Sequence, residues 1–197
     1  KPTVVINNTF NIEYGKPIEK SLRFFDIKTL YDMFVYFSGI GYQVIYKRPN
    51  NTEFTLDQNE MSTLERNISL TANVVGIGVI SDYDLCNYFD NVININDCYE
   101  AYQEPYSYNE FQLRLFSSVD GFVTVNGGGG VLCSYFQKPV VMYIPHGKEL
   151  RTNYVTNEDS YLNKLSKNNI HPVLDEGDTN NWQKVIDEIK KVFKEKK

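Results

Sequence analysis

Cysteine, histidine and tryptophan are scarce in this chain of 197 residues, which contains three, two and one of them, respectively. The cysteines (Cys86, Cys98 and Cys133) are odd in number, and no pair has the spacing of metal ligands. This pattern favours neither a disulfide framework nor a zinc site. We interpret the three residues as reduced thiols and predict a cytoplasmic protein.

Long apolar runs and extended basic patches are also absent. No stretch approaches the roughly 20 apolar residues that span a bilayer, so the sequence predicts no transmembrane segment, and no signal peptide is visible. The net charge is −5, and the one basic run, 190–197, is interpreted as a solvated helix end. A nucleic-acid partner requires a basic face, so we predict no nucleic-acid binding.

The remaining composition is that of a globular protein, with 42% apolar and 23% charged residues. The length fits one domain of residues 1–197, which can bury a sizeable core without metals or disulfides. The chain begins at Lys1 rather than Met. This start leaves open that the domain is the C-terminal half of a longer protein.

Short β-branched runs alternate with stretches of helical periodicity along the chain. This alternation is typical of βαβ units and predicts an α/β fold, a doubly wound parallel sheet with helices on both faces, as in Rossmann-like domains. The predicted strands are 3–7, 42–46, 73–80, 92–95, 122–125, 139–144 and 173–174. The predicted helices include 26–37, 62–65 as a helix start, 82–89, 107–119, 131–136 and 182–193, whereas 97–105 is predicted to be a loop.

Four consecutive glycines come after the strand 122–125 and Asn126. We call this segment the glycine loop: Gly127, Gly128, Gly129 and Gly130. Ligands of open parallel sheets bind outside the carboxyl ends of the strands, where glycines let the backbone approach and a helix N-terminus presents N–H groups. The pattern therefore predicts a phosphate or diphosphate site. The alternative is a tight turn, for which one glycine would suffice.

The strand 92–95, the helix 107–119 and the segment 122–141 together resemble the C-terminal half of a GT-B glycosyltransferase. The spacing from Asn126 to Pro139 is similar to the Asp-Thr-Gly-Pro…Gly-Lys-Pro segment of ADP-heptose-type glycosyltransferases. It is also similar to the Ser-Gly-Gly…Gly-Lys-Pro segment of UDP-GlcNAc 2-epimerases, which share that fold.

This resemblance implies a nucleotide-sugar site. The glycine loop would cradle the diphosphate, and the segment 94–97 would lie near the base or ribose, through Asn94, Asn96 and Asp97. The chain departs from both families after the glycines. The segment 131–134 lacks the acidic residues of the epimerases, and Val131 stands where the heptosyltransferases carry a histidine.

Polar residues at other strand ends are expected to line the same crevice, because the carboxyl ends of parallel strands meet at one edge. Asn7, Asn8 and Thr9 follow the first strand, with an ordinary polar turn as the alternative. Arg48 and the adjacent Lys47 close the second strand. Arg48 is suited to pair with a diphosphate, and a solvated strand end is the alternative.

Two more residues are candidates for the site. Tyr108 belongs to a group of tyrosines around the start of the helix 107–119, and such rings either stack on a base or sugar or cover the edge of the core. His146 follows the strand 139–144 and is the candidate catalytic general base. An ordinary loop histidine is the alternative interpretation.

The sequence thus predicts a glycosyltransferase that moves a sugar from a nucleotide-diphosphate donor to a glycan or similar acceptor. No Asp-x-Asp motif is present, so we predict a metal-independent reaction with no cofactor besides the donor substrate. In the resembled family the acceptor site lies in an N-terminal domain, which implies a partner domain or a homodimer here. A nucleotide-sugar epimerase of the same fold and a non-catalytic nucleotide- or sugar-binding module remain as alternatives.

Overall fold

Strands and helices alternate in the computed structural model, which describes residues 1–8, 24–48, 71–102, 106–144, 154–175 and 182–195. The strands are β1 (Thr3–Asn7), β2 (Gln43–Lys47), β3 (Thr71–Val74), β4 (Gly78–Ser81), β5 (Val92–Asn94), β6 (Gly121–Val125), β7 (Val140–Ile144) and β8 (Ile170–Leu174). The helices are α1 (Ile27–Gly39), α2 (Asp82–Cys86), α3 (Ile95–Ala101), α4 (Tyr108–Ser118), α5 (Gly128–Ser134), α6 (Tyr161–Ser166) and α7 (Trp182–Val192).

Six of the strands form one sheet in the order β5-β2-β1-β6-β7-β8, and every neighbouring pair is parallel. The strands that follow β1 in this sheet are added first on one side, as β2 and β5, and then on the other, as β6, β7 and β8. The order therefore reverses between β1 and β6, which is the defining feature of a doubly wound sheet. The predicted fold class is confirmed.

Helices cover both faces of the sheet. On one face, Phe34 and Phe37 of α1 and Ile189 of α7 share an apolar cluster with Val4 of β1. On the other face, Phe116 of α4 and Cys133 of α5 pack with Val5 of β1, Phe122 of β6 and Ile95 of α3. Successive strand residues point to opposite faces, so Val4 and Val5 contribute to different clusters. Each large apolar side chain buried in this way contributes about 1.5–3 kcal/mol.

Helix α1 follows the sequence prediction closely. Its N-cap is Asp26, whose carboxylate accepts a hydrogen bond from the backbone N–H of Thr29 at 2.7 Å, the arrangement that stabilises a helix start. Beyond its end, Gly41 has φ +77°, a left-handed conformation that favours glycine. The predicted helix start at 62–65 lies outside the described residues.

Two local predictions are wrong. The segment 73–80 is not one strand of the main sheet, because β3 and β4 pair antiparallel as a separate hairpin. Gly76 and Gly78, with φ of +85° and +100°, turn the chain where a continuous strand was expected. The segment 97–105 is not loop throughout either. Asn94 accepts a hydrogen bond from Asn96 N–H at 2.9 Å and caps α3.

In the part of the chain that the structure describes, no helix combines the length and the apolar composition that a membrane crossing requires.

Phe193, the residue that follows α7, packs at the amino edge of the sheet, where β6 begins. Its ring packs against Phe37 at 5.5 Å and Tyr42 at 6.0 Å between centroids, and the Tyr36 hydroxyl donates a hydrogen bond to its carbonyl. Gly121, the first residue of β6, makes room for this ring. A Cβ there would lie 2.6 Å from the Phe193 ring and 2.9 Å from the Pro139 carbonyl oxygen.

We expect Gly121→Ala to lower the free energy of unfolding by about 1–3 kcal/mol, because the added methyl overpacks a contact with ring and backbone atoms. Denaturant unfolding measures the loss. Gly39→Ala is the matched control, since Gly39 is helical and a Cβ there meets nothing within 4 Å. Equal stability of the two variants would contradict this account of Gly121.

Candidate functional site

The glycine loop lies at the carboxyl edge of the sheet, at the point where the strand order reverses. Strands β1 and β6 are direct neighbours, with Asn7 opposite Thr124 in the register. The chain leaves β6 through Asn126 and enters the loop, so the loop begins beside the end of β1. This edge is where doubly wound sheets bind their ligands.

Helix α5 begins within the glycine loop and not after it. The predicted start at Val131 is wrong, because the helix starts at Gly128 and Gly127 is its N-cap, with Val131 N–H already bonded to the Gly127 carbonyl at 3.0 Å. The sequence pattern missed this start because glycine is a poor helix former. The first-turn N–H groups, which have no acceptor inside a helix, therefore belong to glycines.

Glycine is present at the different positions of this loop for different structural reasons. Gly127 has φ +146°, a conformation that side chains rarely adopt. A Cβ on Gly130 would lie 3.1 Å from the Val125 carbonyl oxygen and 3.2 Å from Met142 Cε, so glycine lets α5 approach the sheet closely. Gly128 differs from both, because it is exposed and a Cβ there meets nothing within 4 Å. Backbone conformation therefore explains Gly127 and packing explains Gly130, but among the described residues neither explains Gly128.

Asn126 carries a buried hydrogen-bond donor directly before the loop. Its side chain is 3% exposed, and its Nδ2 has no hydrogen-bond partner among the described residues. Its backbone N–H bonds to the Tyr143 carbonyl at 2.8 Å. An unsatisfied buried donor costs about 1–3 kcal/mol and calls for an explanation. A ligand oxygen at the start of α5 would satisfy it.

A row of three polar side chains crosses the sheet on the face that carries α5. Lys47, Asn7 and Thr124 are register partners on adjacent strands. Lys47 Nζ donates to Asn7 Oδ1 at 3.1 Å, and Asn7 Nδ2 donates to Thr124 Oγ1 at 3.0 Å. We call these residues the polar row. Burial raises the pKa of the Cys133 thiol in α5 to about 12 although the nearby Lys47 charge lowers it.

The Arg48 side chain lies on the opposite face of the sheet from that of Lys47 and forms an ion pair. Its Nε and Nη2 donate to the two carboxylate oxygens of Asp82 at 2.6 and 3.1 Å, and its guanidinium lies 4.4 Å from the centre of the Tyr83 ring. Asp82 is fully buried, and it also accepts a hydrogen bond from the Tyr46 hydroxyl at 2.6 Å. Burial, followed by the Asp82 charge, raises the pKa of Tyr46. The guanidinium predicted to bind a diphosphate is thus committed to a carboxylate.

The two asparagines predicted to line the crevice are both fully buried and have separate structural roles. Asn7 is the last residue of β1 and belongs to the polar row. Asn8 Oδ1 accepts from the Phe25 N–H at 2.7 Å, and its Nδ2 donates to the Phe25 carbonyl at 3.1 Å and to the Tyr46 hydroxyl at 3.1 Å. Asn8 therefore holds the chain that leads into α1 against the end of β1.

The residues predicted to contact the base lie at the same edge but farther away. Strand β5 is three places from β6 in the sheet, a separation of roughly 14 Å at ordinary strand spacing. Asn94 caps α3, Asn96 is half-buried and Asp97 is exposed in the first turn of that helix. Tyr108 packs edge-on against Tyr99 at 5.4 Å, and burial raises its pKa to about 12.

Thr9 and His146 lie outside the described residues, so their roles stay predictions. In the sequence, His146 comes two residues after Ile144, the last residue of β7.

Two residues of this edge were missed at the level of sequence. Thr124 sits inside an apolar strand, and its alignment with Asn7 depends on pairing between residues 117 positions apart. The sequence predicts Asp82 only as the first residue of a helix, and its ion pair with Arg48 joins residues 34 positions apart. The sequence does give one signal about this edge. Lys47 and Arg48 are consecutive, and successive residues of an extended chain point to opposite faces of a sheet, so the two cations are expected on different faces.

Within the described ranges, His, Cys, Asp and Glu side chains form no group of three or more that could hold a metal ion.

Fold and site together define a Rossmann-like α/β domain with a glycine loop at its topological switch point. No family model matches the chain, and no curated protein matches it significantly. Among solved structures, it is similar to UDP-GlcNAc 2-epimerase from Methanocaldococcus jannaschii, with a TM-score of 0.47, 14% identity and coverage of 95% of this chain and 38% of that one. It is also similar to that epimerase in complex with UDP-GlcNAc and UDP, with a TM-score of 0.46, 13% identity and coverage of 99% and 39%.

The chain thus spans about two fifths of the length of these structures. This degree of similarity assigns neither a family nor an activity to it.

We expect Asp82→Asn to lower the free energy of unfolding by about 3 kcal/mol, because the largely buried Arg48 keeps its charge and loses the carboxylate with which it pairs. Denaturant unfolding measures the effect. The double variant Asp82→Asn/Arg48→Met should recover part of it, since no unpaired charge remains. A loss below about 0.5 kcal/mol in the single variant would instead indicate a pair as weak as an exposed salt bridge.

Proposed function

We propose that this domain binds a nucleotide-diphosphate sugar at the switch-point crevice and takes part in transfer of the sugar to a glycan or similar acceptor. One observation carries the proposal: Asn126, whose buried Nδ2 has no hydrogen-bond partner among the described residues, lies two positions before the exposed Gly128 at the start of α5. Both features suit an anionic ligand whose oxygens accept hydrogen bonds.

The diphosphate is the part of the ligand that this geometry supports best. The first-turn amides of α5 and the positive end of its dipole favour negative charge, by typically 0.3–1 kcal/mol for an exposed group. The missing Cβ at Gly128 leaves space for phosphate oxygens to approach the backbone. Asn126 Nδ2 adds a donor from a buried side chain.

The nucleoside and the sugar are proposed from the order of the strands along the edge and from the resemblance of the segment 92–145 to GT-B enzymes. Asn94 and Asp97 lie along the same edge at roughly 14 Å from the loop, so an elongated ligand can reach both. The sugar donor follows from the resemblance and from no single contact.

In this proposal the chain would contribute to catalysis by orientation and by stabilising the departing diphosphate. Backbone N–H groups fixed at the start of a helix cost no reorganisation as charge develops on the leaving group. His146 remains the proposed general base, because it follows β7 by two residues in the sequence. A partner domain or a second copy of the chain would supply the acceptor site.

We expect Gly128→Ala to weaken binding of UDP, GDP or ADP, whichever binds the wild type best, by about tenfold or more, because the methyl occupies the space of a phosphate oxygen. Stability should stay unchanged or rise by up to about 1 kcal/mol, since alanine is the better helix residue. Calorimetric titration measures the affinity, and thermal unfolding measures the stability.

Gly39→Ala is the control for this experiment, because it makes the same change in α1, where a Cβ also meets nothing within 4 Å. Its nucleotide affinity should equal that of the wild type. Equal affinity of Gly128→Ala and the wild type, or no binding of any nucleoside diphosphate, would contradict the proposed site. Release of nucleoside diphosphate from UDP-, GDP- or ADP-sugars then separates an enzyme from a binding module.

A further inference from the structure

Two cationic residues lie at the end of β2: Lys47 is its last residue and Arg48 follows it. The fold gives the two side chains different surroundings. Lys47 is in register with Asn7 and Thr124 on the face of the sheet that carries α5. Arg48 pairs with Asp82 of α2, whose neighbours Leu85 and Cys86 belong to the cluster on the other face. Only Lys47 therefore lies on the side of the glycine loop.

The polar row brings the ammonium of Lys47 towards the start of α5. Lys47 is bonded to Asn7, Asn7 is bonded to Thr124, and a Cβ on Gly130 would lie 3.5 Å from Thr124 Cγ2. The first turn of α5 thus rests on the end of the row. The Lys47 charge also acts to lower the pKa of the Cys133 thiol farther along α5, whereas burial raises it.

The row is unusual for its place in the core. Asn7 and Thr124 have no exposed surface, and the apolar residues Val5, Phe122 and Met142 occupy the same face of the sheet. Polar groups in such a place are costly unless hydrogen-bonded. Here the hydrogen bonds that satisfy Asn7 also fix the direction of a lysine side chain, which is otherwise flexible.

We propose that Lys47 supplies the cationic contact to the diphosphate beside the glycine loop, with Asn7 as the residue that positions its ammonium, whereas Arg48 has a structural role. This inference rests on the proposed function, because it names a residue of the same site. Its ligand class is an anion with at least two negative charges, such as the diphosphate of a nucleoside diphosphate. A neutral nucleoside would gain nothing from Lys47.

The test compares a nucleoside diphosphate with its own nucleoside, for example UDP with uridine, using the base that binds the wild type best. Lys47→Met and Lys47→Gln should each weaken diphosphate binding by about tenfold or more, since a positioned cation on a phosphate is lost. Binding of the nucleoside should change less than twofold. Lys47→Arg should bind the diphosphate with an affinity within about threefold of that of the wild type, because this substitution keeps the positive charge.

Lys138→Met is the matched control, because Lys138 precedes β7 at the opposite edge of the sheet and its loss makes the same change in net charge. It should bind the diphosphate as the wild type does. Two variants at Lys47 are used so that a folding defect in one, seen as a lost thermal transition, leaves the other to decide.

Unchanged diphosphate affinity in a folded Lys47→Met or Lys47→Gln variant would overturn the role of Lys47 and leave the proposed function standing. Equal weakening of diphosphate and nucleoside would overturn it as well, because that result indicates a purely structural residue. Absence of nucleoside diphosphate binding to the wild type would overturn both this inference and the proposed function.

Discussion

The parallel pairing of β1 with β6 is the constraint on which the candidate site depends. It joins residues 3–7 to residues 121–125 and places the carboxyl ends of both strands side by side. Closing a loop of this length has a substantial entropic cost, which burial of residues such as Val5 and Val123 offsets. Without this pairing, the glycine loop would not adjoin the end of the first strand, and the polar row would not exist.

Successive residues of the central strands point to opposite faces of the sheet, and this divides the polar residues of the carboxyl edge into two sets. On one side, Asp82 holds Arg48 and Tyr46 in a buried network. A network of this kind is a poor source of net stability, because desolvation of both charges offsets much of their attraction. Its effect is to keep a cation and a carboxylate fixed between α2 and β2. On the other side, Lys47 donates a hydrogen bond to Asn7, which in turn donates one to Thr124 in the polar row.

The sequence was informative wherever local chemistry decides the structure. The β-branched run 3–7 and the apolar spacing in α1 both act over a few residues, and the structure has the corresponding elements. The doubly wound fold class follows from the alternation of such elements along the chain. The glycine loop could be placed at the end of a strand for the same reason.

The remaining features depend on partners far away in the chain or on geometry that residue types only weakly encode. The hairpin 71–81 turns at Gly76 and Gly78, which a window averaged for β-propensity does not separate from a strand. Helix α5 begins at glycines, against their intrinsic preference, because Gly130 fits closely against β6. The pairing of Arg48 with Asp82 could not be predicted from spacing, since both residues are also common at exposed strand and helix ends.

Phe193 has a consequence for how the chain is made. Its ring fills the space over Gly121, and its carbonyl accepts a hydrogen bond from the Tyr36 hydroxyl. The segment 182–193 therefore completes a core to which Phe37 and Tyr42, synthesised much earlier, also belong. Until residues 182–193 have emerged from the ribosome, Phe37 and Tyr42 of a nascent chain stay partly uncovered. Folding is thus expected to finish only after translation of this segment, and until then those aromatic rings are surfaces that a chaperone would recognise.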